Sequence, residues 1–105
     1  MTLTAQPTVT AERESELLAS VPTGLLINGE WRPAASGKTF DVEDPATGKV
    51  LLSIADAGPE DGAAALDAAA AAQDSWAKVP ARERGEILRR AFEMVTARAE
   101  DFALL

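Results

Sequence analysis

The sequence predicts an α/β arrangement in which short paired strands lead into two long helices. Asn28-Gly29 lies between Leu25-Leu26-Ile27 and Glu30-Trp31-Arg32, the pattern of a hairpin closed by two residues that tolerate positive φ. Val50, Leu52 and Ile54 alternate with less apolar neighbours, as in a half-buried strand. Ile87, Leu88, Ala91, Phe92, Val95, Ala99 and Phe102 recur at steps of three and four, as on the core-facing stripe of a helix.

Taken in order, residues 1–20 are rich in Thr, Ala and Glu, with one small apolar cluster at Leu17, Leu18 and Val21. They are expected to form a poorly ordered extension holding at most a loose helical turn. Residues 21–105 are read as a single incomplete domain. After the hairpin, Pro33 to Lys38 forms a loop, and Thr39 to Glu43 is extended with Phe40 and Val42 on one face. Asp44-Pro45-Ala46-Thr47-Gly48 turns the chain into a third strand from Lys49 to Ala55.

Gly58-Pro59-Glu60-Asp61 marks a helix start, because proline suits the first helical position and acids complement the positive end of the dipole. This helix should run to Lys78 and bury Leu66, Ala69, Ala70, Gln73, Trp76 and Ala77. Val79-Pro80 breaks it. The second helix starts near Ala81 and continues through Phe102, with Arg82, Glu86, Arg90 and Glu93 on its wet side and Glu86 paired to Arg90. The chain ends at Phe102-Ala103-Leu104-Leu105, apolar and in helical phase, with no Gly or Asn stop. That ending reads as an N-terminal portion of a larger protein.

Composition points the same way. Apolar residues make up 47% of the chain, but 22 of them are alanine, which buries little surface at about 25 cal/mol per Å². The helices are therefore expected to pack against something outside the chain. A net charge of −7 repels phosphate backbones and anionic lipid, which excludes nucleic acid and membranes as partners. There is no Cys, no His and no Tyr, so cysteine chemistry and histidine acid–base chemistry are excluded from these residues. With no secretory leader in Met1 to Thr10 and no membrane span, the cytoplasm is the expected location.

Few side chains stand out as candidates for a site. The glycines fit neither standard nucleotide-binding spacing. Arg82, Arg84, Arg89 and Arg90 form a basic run, read as a solvated face balanced by Glu83, Glu86 and Glu93. Asp41, Glu43 and Asp44 are read as a solvated strand end, since alternate side chains on a strand diverge. Trp31 and Trp76 are expected to be packing anchors.

Leu26-Ile27-Asn28-Gly29-Glu30-Trp31, Ser36-Gly37-Lys38-Thr39-Phe40, Asp44-Pro45-Ala46-Thr47-Gly48, Trp76 and Glu83-Arg84-Gly85-Glu86-Ile87-Leu88-Arg89-Arg90 together resemble the start of an aldehyde dehydrogenase. Within that superfamily the wording is most similar to the succinate-semialdehyde dehydrogenases. The resemblance covers residues 24–105. It implies that this segment is the N-terminal part of the cofactor-binding domain, with hairpin, strands and two helices beside a later dinucleotide-binding sheet. It also implies an activity for the whole protein: oxidation of a small aldehyde to its acid with NAD or NADP, through a thiolate adduct, hydride transfer and hydrolysis. The catalytic and cofactor-binding residues of the family lie downstream, so none is carried onto this chain.

One lesser site does carry over by resemblance. Some family members bind a monovalent cation partly through backbone carbonyls just before the turn proline, which here implies Val42 and Glu43. Asp44 stands where Asn is frequent in the family and adds charge, and Gly62 replaces a branched apolar residue. Family members are usually homo-oligomers. The competing reading of the same residues is a stand-alone module in which the two helices dimerise without catalysis.

Overall fold

The computed structural model describes residues 10–105. The first element is a helix, α1 (Ala11–Ser20), where a poorly ordered extension was expected. Thr10 caps it, its hydroxyl accepting the Arg13 N–H at 3.1 Å, and Glu12 and Glu14 complement the dipole in the first turn. Ten residues rarely hold a helix in isolation, so its stability must come from tertiary contact. Leu17 supplies one, being 4% exposed, and Arg13 supplies another by pairing with Asp101 at the far end of the chain. The remainder of the expected extension, residues 1–9, lies outside the described residues.

Strands β1 (Leu25–Ile27) and β2 (Glu30–Arg32) pair antiparallel with Leu26 opposite Trp31. Asn28 and Gly29 adopt φ of 54° and 76°, the left-handed pair that a two-residue hairpin turn requires. Gly24, just before β1, lies against the Arg32 backbone so closely that a Cβ would stand 2.7 Å from the Arg32 carbonyl oxygen.

Strands β3 (Thr39–Glu43) and β4 (Val50–Ala55) form a second antiparallel pair. In the turn between them Asp44 Oδ1 accepts the Ala46 N–H at 2.8 Å, and the Gly48 N–H donates to the Asp44 carbonyl at 2.7 Å. Phe40 stands opposite Ile54 and Val42 opposite Leu52, but Glu43 is opposite Val50, so Leu51 is an extra residue in the ladder. The Ala55 N–H donates to the Thr23 carbonyl at 2.8 Å, which fixes the second pair to the chain entering the first.

Helix α2 (Pro59–Lys78) has its expected limits, and Val79-Pro80 separates it from α3 (Ala81–Ala97). The second helix does not run unbroken to Phe102. Arg98, at φ −113° and ψ 25°, leaves helical geometry, its N–H bonding the Val95 carbonyl at 3.1 Å, and a short helix α4 (Ala99–Leu104) follows. The change of direction accompanies the placement of Asp101 against Arg13 and Arg98. The Glu86–Arg90 pair is also replaced: Arg89 bonds Glu86 at 3.0 Å and also bonds Glu93.

Most apolar surface in the chain remains open. Its radius of gyration is 18.4 Å, against about 13 Å for a compact domain of this size. Among the described residues the buried apolar side chains are Leu17 and Ala34. The α2 stripe expected to be buried is uncovered, with Leu66 70% exposed, and Trp31 and Trp76 are more than two-fifths exposed rather than packed as anchors. The α3 stripe is likewise open at Leu88 and Phe92. The physical reason is that α2 packs chiefly on β1 and α3 on α4, leaving the apolar stripes of both helices without a facing layer.

Candidate functional site

The one polar side chain buried among the described residues is Asp61, 3% exposed in the first turn of α2. A buried carboxylate is tolerated when it is hydrogen-bonded, and this one is. Its Oδ2 accepts the Gly58 N–H at 2.9 Å, its Oδ1 accepts the Ala35 N–H at 3.0 Å, and Arg32 Nη2 stands 3.9 Å away. The Gly58 N–H and then the Ala35 N–H hold its carboxyl below the ordinary value. Burial opposes them and Arg32 assists. Asp61 thus joins three segments: the end of β2, the loop after it and the start of α2. Sequence reasoning assigned it only to the helix dipole. An acid three residues after a helix cap was the available signal for the Gly58 bond, but nothing local announces Ala35.

A second carboxylate, Asp101, is held by two guanidinium groups. Arg98 Nε lies 3.3 Å from Oδ2, and Arg13 of α1 bonds Oδ1. Partial burial pushes this carboxyl up, and the bonds from Arg13 and Arg98 outweigh it, leaving it below the ordinary value.

Val42 and Glu43 sit next to each other at the end of β3, where the ladder register shifts. Val42 is half-buried and Glu43 exposed. Backbone carbonyl oxygens suit a hard cation, and two of them supply only part of the roughly six oxygens such an ion takes. The neighbouring acids do not converge. Asp41 accepts from Ser53, and Asp44 is engaged in its own turn. Among the described residues no group of three carboxylates comes together to hold a metal.

The described residues do not fit a nicotinamide dinucleotide. A helix N-terminus beside a glycine is a ready anion site, but at α2 the Asp61 carboxylate already takes the Gly58 N–H. Gly29, Gly37 and Gly48, which adopt positive φ, stand in three separate turns rather than in one phosphate-binding loop. What the arrangement offers instead is surface. Leu66 and Trp76 on α2 and Ile87, Leu88, Phe92 and Val95 on α3 are exposed, a larger set of apolar side chains than the single ones normal on a monomer. Among the described residues no helix is long and apolar enough to cross a membrane.

Comparison with known proteins places these features. Residues 31–105 match the model of the aldehyde dehydrogenase family. The chain is 62% identical over 56 residues to succinate-semialdehyde dehydrogenase of Paenarthrobacter nicotinovorans, covering 53% of this chain and 12% of that protein. It is 41% identical over 80 residues to the NADP(+) succinate-semialdehyde dehydrogenase of Escherichia coli, covering 76% of this chain and 17% of the other. Among solved structures it resembles a variant of betaine aldehyde dehydrogenase of Staphylococcus aureus in complex with NAD+. The TM-score is 0.86 at 28% identity, over 90% of this chain and 19% of that one. The chain thus spans less than a fifth of the length of the proteins it matches.

Proposed function

Because this chain belongs to the aldehyde dehydrogenase family, we propose that it forms the non-catalytic leading segment of an enzyme that oxidises succinate semialdehyde to its dicarboxylic acid with NAD or NADP. The observation that carries the reading is the match over residues 31–105 combined with helix faces that this chain leaves uncovered. A family member needs a cofactor site and a reactive thiolate, and a chain without Cys or His supplies neither nucleophile nor imidazole base. Its part is positioning. Asp61 locks the hairpin loop to α2, and the open faces of α2 and α3 seat the layer that carries the chemistry.

Succinate semialdehyde is favoured over other aldehydes by the identities of 62% and 41% to enzymes named for it. The segment is read as scaffold rather than as the part that selects substrate, a reading supported by its likeness at 28% identity to an enzyme named for betaine aldehyde. A substrate carboxylate would be met by basic side chains from outside this segment. The Val42 and Glu43 carbonyls would contribute two ligands to a monovalent cation, completed by others outside these residues. The complete enzyme is read as a cytoplasmic homo-oligomer that binds neither nucleic acid nor membrane.

The test is an assay of the intact protein with succinate semialdehyde and with aldehydes lacking its carboxylate, each with NAD+ and NADP+, following reduced nicotinamide. The highest kcat/KM should belong to succinate semialdehyde. Turnover of the other aldehydes but not of this one would overturn the substrate reading, and turnover by residues 1–105 alone would overturn the scaffolding role. The exposed alanine-lined face of α2 also suits a self-associating module. A cooperative, concentration-dependent melt of residues 1–105 alone would mark that second reading.

A further inference from the structure

Helix α1 lies between two parts of the molecule distant in sequence. On one side Leu18 and Ala19 line a groove with Leu51 and Leu52 of β4; on the other, Leu17 and Ser20 line a groove with Phe102 and Leu105. Its specific anchor is the bond from Arg13 to Asp101 across 88 residues of chain. The side chains of that pair are 51% and 22% exposed, so salt and water reach it. Arg13 also stands 3.9 Å from Glu16 on its own helix, which offers the guanidinium an alternative partner on release. Asp101 retains Arg98 in that event, so neither member is left as an uncompensated charge.

The geometry points to α1 as a salt-sensitive strap that couples the β3–β4 pair to α4 and opens as a unit while the strands stay folded. Two features support independent opening. The helix is too short to persist undocked. Its anchor can be broken without a stranded charge, which places it at the low-stability end of the molecule. Opening bares Leu17, 4% exposed while the helix is docked, beside Phe102 and Leu105, which are exposed in either state.

The experiment is backbone hydrogen exchange on the intact protein, which needs no assumption about isolated folding. In Arg13→Ala, amides of Ala11–Ser20 should exchange about two- to fivefold faster, the range set by an exposed ion pair, with β1–β4 amides unchanged. Arg13→Lys keeps the charge and should recover most of the protection. Raising salt on the unaltered protein should accelerate the same amides selectively. Exchange in α1 that ignores both Arg13→Ala and salt, or that accelerates equally in the strands, would overturn the strap.

Discussion

Asp61 and Ala35, 26 residues apart, meet through one hydrogen bond of 3.0 Å from the Ala35 N–H to the Asp61 carboxylate, and this bond ties the loop after the hairpin to the start of α2. The other carboxylate oxygen takes the Gly58 N–H. In Asp61→Ala both donors lose their partner. The Ala35 and Gly58 amides should lose protection together in hydrogen exchange, and the melting temperature should fall. Asp61→Asn keeps one acceptor but turns a donor toward one of the two N–H groups, so it should protect only one of them.

The same bonds set a pH dependence. The Asp61 carboxyl is held below its ordinary value of 3.8, so the folded state binds its proton less readily than the unfolded chain does. Its contribution to stability is therefore complete above about pH 4 and declines as pH falls through the folded value. In a carboxylate titration followed by NMR, Asp61 should protonate below its ordinary value of 3.8, and Ala35 amide protection should persist until it does. Loss of that protection at or above the ordinary value of 3.8 would contradict the assignment.

Two glycine-to-alanine changes should have opposite signs. At Gly24 a Cβ would stand 2.7 Å from the Arg32 carbonyl oxygen, a backbone atom that can retreat only by opening the hairpin. Gly24→Ala should cost about 1–3 kcal/mol, as overpacking does. At Gly62, within α2, nothing lies within 4 Å of the added atom, and the helix gains up to ~1 kcal/mol from alanine. Denaturant melts of the two variants of the intact protein distinguish them directly.

What the sequence made legible is what neighbours in the chain determine. Asn28-Gly29 specified the hairpin, Asp44 to Gly48 the second turn, and Pro59 and Pro80 the starts of α2 and α3, because each acts over two to four residues. The features missed depend on distant partners. Helix α1 is docked through Leu17 and the Arg13–Asp101 pair, the Asp61 junction depends on Ala35, and the break at Arg98 accompanies the placement of Asp101. Helical periodicity marked stripes on α2 and α3 that this chain leaves exposed, while the covered positions of α2 are Asp61, Ala64 and Ala68. Burial belongs to the pair of surfaces and not to the stripe. For the cation ligands proposed at Val42 and Glu43, side chains carry no information, since a carbonyl is common to every residue.

The open stripe on α3 leads to a comparison between contexts. Leu88 and Phe92 are 73% and 68% exposed within this chain, so truncating them removes little buried surface here. If a facing layer covers them in the intact enzyme, Leu88→Ala should cost about 2–5 kcal/mol there and Phe92→Ala about 3–5, as for core positions. Helix content of residues 1–105 alone, followed by circular dichroism, should hardly respond, because alanine favours helix at least as well as Leu or Phe. Binding of a hydrophobic dye should be strong for residues 1–105 and weak for the intact protein, and the two substitutions should reduce it only in the former. Equal, small effects of Leu88→Ala in both contexts would mean that no layer faces α3, and the scaffolding role would lose its support.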